Sequence, residues 1–419
     1  MAQQNVIARE HYTRVAIETT FGVTPSGSYP EALTEIVPQH DALHIDNLAV
    51  EMLEVNDARA RRNDAIQPVQ GLEMASKVSA TFYAKAVPSS NVLTASGTVG
   101  SLSQCIPFLH TFGAEHAAIG TTVASGTWTS TVFDVTSAAT LKKGTIICVT
   151  VSGVPEWTKI TNISSATVTV SPPLSAAPVT GAVVRNLRTY APAESHTSSM
   201  TFQFAFSGSS TAQYTVNGVA CNVKIASAFG QLVTYALDGT GARFTGPTNQ
   251  SITASVVTDD MRAPFVMKGA TVLLATTAAR AVSFVCESVE VELPNQWQQV
   301  RDPGGIETVN SVVNVAGRPR AATAKLRLRF DSDVPAAFIA ETGYSLWIVV
   351  PQGTGTSQQF FAVEMGNCKI VGRPKESKVG ELLYLDIELG ALMDDQVTLA
   401  SETGTDRDFI LAPYRVAFG

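Results

Sequence analysis

The chain has 419 residues, of which 45% are hydrophobic and 16% are charged, and its formal net charge is −7. At roughly 150 residues per domain, this length predicts two or three domains with packed cores. The negative charge argues against general binding of nucleic acids, which needs a basic surface to neutralise phosphates.

The five cysteines are widely spaced and include no C-x-x-C pair. This pattern favours buried free thiols in a reducing cytoplasm over a disulfide framework or a zinc site. The N-terminus lacks the basic and apolar regions of a signal peptide, and no stretch approaches the roughly 18 consecutive apolar residues of a membrane helix. We therefore expect a protein that is made and used in a cytoplasm.

Strand patterns dominate the chain. Apolar and polar residues alternate in residues 200–206, 288–293, 325–330 and 383–389, which is typical of strands with one buried face. Gly, Pro, Asn and Asp punctuate the chain between such segments.

Helices are predicted at only two places. One lies within residues 91–109, where Gly97 and Gly100 weaken the pattern. The other covers 334–342, with Pro335 in its first turn and Gly343 after its end. The predicted class is therefore mostly β, with one short helix in each unit.

The composition changes between residues 119 and 193, where Thr, Ser, Val and Ala are abundant. Four strand-like segments, separated by a Lys-Lys-Gly turn and a Pro-Pro break, predict a small β-barrel inserted into the surrounding unit. Such an insertion is tolerated where the ends of the host loop lie close together at the surface.

Two segments of the chain resemble each other. Residues 217–239 read NGVACNVKIASAFGQLVTYALDG and residues 365–390 read MGNCKIVGRPKESKVGELLYLDIELG. Each is preceded by the same order of features, which are an acidic alternating strand, a long polar stretch, a second alternating strand and a helix. These features start at residue 47 in the first copy and at residue 288 in the second.

This order predicts a tandem duplication, because a long period indicates paired domains and not a solenoid. The predicted units are a first domain at 1–118 and 194–262, the insert at 119–193, a second domain at 263–405, and an arm at 406–419. Two unrelated β-domains of similar composition remain the alternative.

The sequence contains no motif that indicates catalysis. Glycine-rich nucleotide loops, the G-x-S-x-G elbow and the H-E-x-x-H zinc motif are all missing from it. We therefore expect no enzymatic activity, no cofactor and no metal site.

Residues 12–25, YTRVAIETTFGVTP, resemble the N-terminal signature of the tail tube (major tail) proteins of long-tailed bacteriophages. The segment from residue 217 to 239 resembles a later segment of the same family, although Ala220 and not Gly precedes Cys221. The matching positions are Tyr12, Glu18, Phe21, Gly22, Thr24, Pro25, Gly218, Cys221, Val223, Gly230 and Gly239.

The resemblance implies two tandem tail-tube-like β-sandwich or barrel domains, each with one short helix. The inserted small β-barrel departs from the simplest family members, and we expect it on the outside because six-sided packing leaves no room elsewhere. It implies a structural virion protein whose rings stack into the tail tube, the conduit for double-stranded DNA during ejection. A duplicated domain implies homotrimeric rings with pseudo-sixfold symmetry. The expected location is the virion tail after assembly in the host cytoplasm. The expected partners are further copies of the chain, a tape-measure protein, and terminator and initiator proteins, without specific DNA binding or a membrane.

The resemblance also suggests roles for particular residues. Acidic residues on wet strand faces are expected to line the lumen and repel DNA, namely Glu51, Glu290, Glu292, Asp386 and Glu388. Long polar stretches at 56–74 and 295–317 are expected to join rings, through Arg59, Arg61, Arg62, Arg301 and Asp302. The apolar arm is expected to contact a neighbouring subunit through Phe409, Ile410, Leu411, Tyr414 and Phe418.

A different class of function also fits a β-rich chain without catalytic motifs. The alternative is a secreted or surface β-sandwich binding module, such as an adhesin. The missing signal peptide and the five unpaired cysteines argue against it.

Overall fold

The computed structural model describes residues 11–26, 30–39, 44–46, 50–54, 68–73, 76–86, 104–193, 196, 198–206, 212–249, 263–275, 283–295, 297–300, 311–314, 322–329, 344–353, 358–379, 381–394 and 405–419. Strands dominate these segments, together with two short helices, so the mostly-β class is confirmed.

The described residues ahead of the insert form seven strands and one helix. They are β1 (His11–Ile17), β2 (Thr34–Glu35), β3 (His44–Asp46), β4 (Val50–Glu54), β5 (Pro68–Glu73), β6 (Ser76–Tyr83), α1 (Cys105–Phe112) and β7 (Gly113–His116). After the insert, this first part of the chain continues with β14 (Arg188–Pro192), β15 (Met200–Phe206), β16 (Ala212–Ala228), β17 (Thr234–Gly241) and β18 (Arg243–Asn249).

The insert lies between β7 and β14. Its strands are β8 (Thr121–Thr122), β9 (Val132–Asp134), β10 (Ile146–Val151), β11 (Val154–Ser164), β12 (Thr167–Ser171) and β13 (Val183–Asn186).

The second part follows β18. Its elements are β19 (Thr271–Ala275), β20 (Ser283–Phe284), β21 (Cys286–Leu293), β22 (Trp297–Val300), β23 (Ser311–Asn314), β24 (Thr323–Arg329), β25 (Tyr344–Gln352), β26 (Gln359–Ile370), β27 (Lys375–Val379), β28 (Leu382–Leu392), α2 (Thr405–Ile410) and β29 (Arg415–Phe418).

Six strands of each part pair in the same order. The order is β1-β15-β16-β17-β6-β3 in the first part. It is β19-β25-β26-β28-β24-β21 in the second part. All these pairings are antiparallel. When these six strands of each part are numbered 1 to 6 along the chain, their order across the sheet is 1-4-5-6-3-2 in both parts.

The two parts share one sheet. Val223–Ala228 of β16 pair antiparallel with Ser288–Leu293 of β21. Strand β27 also pairs with β28. The result is a sheet in the order β3-β6-β17-β16-β21-β24-β28-β27, which we call the joint sheet. Its apolar face packs into the main core, where Val289 and Leu326 join Leu346 and Ile348 of β25 in one hydrophobic cluster.

The insert forms a closed barrel. Its sheet order is β8-β13-β10-β11-β12-β9, and a bridge between Val123 and Val135 joins the two end strands. The Ala124 N–H donates to Asp134 O and the Thr136 N–H donates to Thr122 O, both at 2.9 Å. The barrel has a hydrophobic core of its own. This insert barrel falls within the range predicted from composition.

The insert barrel packs against the second part of the chain. Trp157 of β11 stacks on Trp347 of β25, with ring centroids 5.0 Å apart. Both belong to a cluster with Leu187, Phe360 and Ala417. Because alternate strand residues face opposite sides, Trp347 points away from the core that Leu346 and Ile348 enter. The insert barrel and the joint sheet therefore lie on opposite sides of β25.

The predicted C-terminal arm is wrong. Within residues 406–419, β29 pairs with both β14 and β26 of its own chain. Phe409, Ile410, Tyr414 and Phe418 are fully buried there, and Leu411 is half-buried. The neighbouring sequence contains no partner for these apolar residues, because β14 and β26 lie far away along the chain.

The two predicted inter-ring stretches are partly β-hairpins. Strands β4 and β5 form one two-stranded sheet, and β22 and β23 form another. Residues 56–67 and 301–310, which contain Arg59, Arg61, Arg62, Arg301 and Asp302, lie outside the described residues.

The first predicted helix is displaced along the chain. Helix α1 begins at Cys105, well after Gly97 and Gly100, and ends before Gly113, whose φ of 85° suits a left-handed C-terminal cap. The second predicted helix, 334–342, lies outside the described residues.

Candidate functional site: a charged face and a buried cluster

A trough runs across the polar face of the joint sheet. Residues of β16, β21, β24, β28 and β27 line it, and its volume is about 1170 Å³. Strand alternation explains its polar lining, because Val289 and Val291 enter the core while Glu290 and Glu292 point the other way.

Acidic and basic residues alternate across this face. Eight of its residues are Lys224, Glu290, Glu292, Lys325, Arg327, Lys375, Asp386 and Glu388. We call this set the charged face. Neighbouring strands contribute opposite signs, so β21 and β28 carry the acids while β16, β24 and β27 carry the bases.

Ion pairs connect the strands of the charged face. Lys224 Nζ lies 3.1 Å from Glu290 and 3.4 Å from Glu292. Lys325 Nζ lies 3.5 Å from Glu290. Arg327 Nε lies 3.6 Å from Asp386. Opposite charges placed across an antiparallel pair favour this register.

The pairing shifts two pKa values on this face. The hydrogen bond from Lys224 lowers the pKa of Glu290 below its ordinary value, despite partial desolvation. The same bond to Glu290 raises the pKa of Lys224. Both side chains remain more than a third exposed, so each pair contributes about 1 kcal/mol or less.

Four of the five predicted lumen residues share one face, but that face is not simply acidic. Glu290, Glu292, Asp386 and Glu388 project from it among basic residues that the sequence prediction did not count. Their register comes from strand pairing, which a linear sequence does not reveal. The side chain of Glu51 lies outside the described residues.

A second charged group is completely buried. Lys159 Nζ donates to Glu364 Oε1 and Asp394 Oδ2, both at 2.7 Å. Arg415 lies 2.6 Å from Glu364 Oε2 and 2.9 Å from Asp394 Oδ2. All four side chains have zero exposure. We call these four residues the buried cluster.

The buried cluster connects three regions. Lys159 belongs to the insert barrel, Glu364 and Asp394 to the second part of the chain, and Arg415 to β29. Burial opposes the charge of Arg415, but Glu364 and Asp394 together outweigh it and raise the pKa of Arg415. Two cations thus face two anions, and removing any one member leaves an uncompensated buried charge.

The base of the second hairpin is anchored in the core. The Trp297 indole donates to Cys221 O at 2.9 Å, and its ring stacks on His110 at 5.1 Å. The Cys221 N–H in turn donates to His110 Nε2 at 3.2 Å. Burial lowers the pKa of His110 well below its ordinary value, which keeps this acceptor neutral. The hairpin therefore leaves the fold from a fixed point.

The two segments that carry the family resemblance meet in space. The Glu18 carboxylate accepts hydrogen bonds from the backbone N–H groups of Gly22 and Gly218, both at 2.8 Å. Thr201 donates to the same carboxylate at 2.7 Å. Phe21 packs so close to Gly218 that an added Cβ would lie 2.8 Å from its ring. The residues of both segments thus stabilise one turn beside β16.

Comparison with known proteins finds no family model and no curated protein that matches the chain at a significant level. Within the segments that the structure describes, no helix is long and apolar enough to cross a membrane. The same segments contain no group of three or more His, Cys, Asp or Glu residues suited to holding a metal ion.

Proposed function

We propose that the chain is a structural subunit of a bacteriophage tail tube. Three copies form a ring, and the rings stack into a hollow tube that conducts double-stranded DNA during ejection. The observation that carries the proposal is the joint sheet, in which two parts with equal strand order continue one another through β16 and β21. The equal order supports a duplicated tube domain, and each copy of the chain then supplies two of six positions around the ring.

The size of the sheet sets the size of the ring. Each chain contributes eight strands to the joint sheet, so three chains close a barrel of 24. Strands about 4.8 Å apart and tilted by about 40° give such a barrel a backbone diameter of roughly 48 Å. Closure also pairs the exposed edge strands, which favours a ring over open association.

The charged face is the proposed lumen surface. Three of its four bases, Lys224, Lys325 and Arg327, are already paired with acids, so they offer little attraction to passing phosphates. The insert barrel lies on the opposite side of β25, and this position supports the placement of the insert outside the tube.

The two hairpins are the proposed contacts between successive rings. Each forms a small sheet separate from the joint sheet, and the anchoring of Trp297 fixes where the second one leaves the fold. Further proposed partners are a tape-measure protein and the terminator and initiator proteins of the tail. The protein resides in the virion and needs neither cofactor nor catalytic residues.

Electron microscopy of the purified protein, with end-on views classified by symmetry, tests the proposal. The expected result is hollow tubes with three-fold rings of six similar lobes and a barrel diameter near the value above. Tubes with six whole chains per ring would keep the tube and overturn the duplication. Particles that stay monomeric at high concentration, even with added tail-initiation complex, would overturn the tube and favour a binding module.

A further inference from the structure

Within one chain, the pairing of β16 with β21 joins the two parts, and we call this contact the in-chain joint. The same kind of strand pairing can connect neighbouring copies of the chain. Within the described residues, β27 pairs only with β28, and β3 pairs only with β6. These strands are the two ends of the joint sheet. Lys375, Glu376 and Lys378 of β27 are exposed, as expected of an open edge.

Strand β27 of the second part corresponds to the second half of β16 in the first part. The second half of β16 pairs with β17, and β27 pairs with β28, which has the same place in the strand order as β17. Lys224 stands opposite Ala236, and Ala236 stands opposite Thr81. In the second part, Lys375 stands opposite Asp386, which stands opposite Arg327. If Ala236 and Asp386 are aligned as equivalent positions of β17 and β28, Lys375 occupies the position of Lys224.

Strand β3 of the first part corresponds to β21 of the second part, because β3 pairs with β6 and β21 pairs with the equivalent strand β24. Asp46 stands opposite Lys77, which stands opposite Thr240. Glu292 stands opposite Thr323, which stands opposite Gly390. Thr240 follows Ala236, the partner of Lys224, by four residues. Gly390 follows Asp386, the partner of Lys375, by the same number. Asp46 therefore occupies the position of Glu292.

We propose that β27 of one copy pairs antiparallel with β3 of the next, in the register of the in-chain joint. Lys375 then stands opposite Asp46 of the neighbour, as Lys224 stands opposite Glu292 within the chain. A base and an acid are preserved at both positions, and this charge complementarity selects the register. The occupant of the open edge is thus a second copy of this chain. The inference rests on the proposed ring and adds its register.

Engineered disulfides test the register. Residues directly opposite each other across an antiparallel pair have Cα atoms about 4.5–5.5 Å apart, within the range that a disulfide spans. The variant carries Lys375→Cys and Asp46→Cys. The five native cysteines are buried, and burial raises the pKa of Cys221, Cys286 and Cys368 to about 12, so they compete poorly for oxidation.

Two matched variants serve as controls. Lys224→Cys with Glu292→Cys places the same pair in the in-chain joint, and it should form a disulfide within one chain. Lys378→Cys with Asp46→Cys displaces one partner by three residues, roughly 10 Å along the strand, and should not link.

The expected result is a covalent trimer on a non-reducing denaturing gel, obtained from assembled protein with Lys375→Cys and Asp46→Cys. Ladders beyond three would support the joint and overturn three-fold closure. If tubes assemble without this disulfide while the in-chain control forms its own, the proposed pairing of β27 with β3 is wrong and the proposed tube function still stands. A wild-type protein that never assembles would overturn both.

A charge exchange gives an independent test of the same pair. Lys375→Asp places two acids opposite each other, and we expect the critical concentration for assembly to rise roughly tenfold or more at low salt. Adding Asp46→Lys should restore assembly. Lys268→Asp makes the same charge change at an exposed bend outside both edge strands and should have little effect. Equal behaviour of Lys375→Asp and Lys268→Asp would contradict the proposal.

Discussion

The buried cluster and the charged face use the same residue types in opposite environments. Each pairs lysine or arginine with glutamate or aspartate at hydrogen-bonding distance. The cluster has zero exposure, whereas Lys224 and Glu290 of the face keep 45% and 36% of their side-chain surface in water. The ion pairs are also shorter in the cluster, at 2.6 to 2.9 Å against 3.1 to 3.9 Å on the face, but the main difference is the exposure to solvent.

That difference in solvent exposure decides how much each charged residue contributes to stability. In the cluster, loss of one partner leaves a desolvated ion, so the four residues lock the insert barrel and β29 onto β26. On the face, water and salt replace a lost partner at little cost. Charged residues of the face can therefore be exchanged without loss of the fold.

The largest effect should follow from breaking the cluster. Lys159→Met keeps the length of the side chain but removes its charge and leaves Glu364 and Asp394 with Arg415 alone. We expect the free energy of unfolding to fall by about 3–5 kcal/mol. Urea unfolding followed by tryptophan fluorescence measures this, since Trp157 and Trp347 stack beside the cluster.

Lys224→Met is the matched control for that experiment. It removes a lysine that also contacts two carboxylates, but on the exposed face, and should cost about 1 kcal/mol or less. Molar salt should abolish the small effect and leave the large one. Equal losses in the two variants would refute the comparison.

An intermediate effect is expected from crowding the cluster. Gly366 lies against Asp394, and a Cβ added at Gly366 would sit 2.4 Å from the carboxylate carbon. Gly366→Ala must therefore displace Asp394 from Lys159 and Arg415. We expect a loss of about 1–3 kcal/mol in the same unfolding assay. An unchanged midpoint would mean that the cluster tolerates displacement and is less tightly held than its distances indicate.

Sequence reasoning located strands well and their partners poorly. The alternating stretches 200–206 and 288–293 lie in β15 and β21 because period-two burial is a local property. The buried cluster was missed because Lys159 and Glu364 are 205 residues apart and each looks ordinary in its own segment. The same limit produced the mistaken arm, since β29 finds its partners in β14 and β26. A lysine in a strand that is buried on both faces would have been the only sequence signal.

The smallest effect tests the exposed side of the comparison through pH. The pKa of Glu290 is lowered in the folded protein, so its pair adds stability above the ordinary carboxyl value of 4.5 and loses it as the pH falls through the folded value. The raised pKa of Lys224 keeps the other partner charged throughout the acidic and neutral range. Glu290→Gln should therefore be less stable than wild type by about 1 kcal/mol or less at pH 7, and the difference should shrink as the pH falls below 4.5 and through the lowered pKa of Glu290. Thermal unfolding of both proteins between pH 3 and pH 8 measures the difference. A difference in stability between wild type and Glu290→Gln that increases as the pH falls would mean that Glu290 stabilises the fold through an interaction that does not depend on its charge.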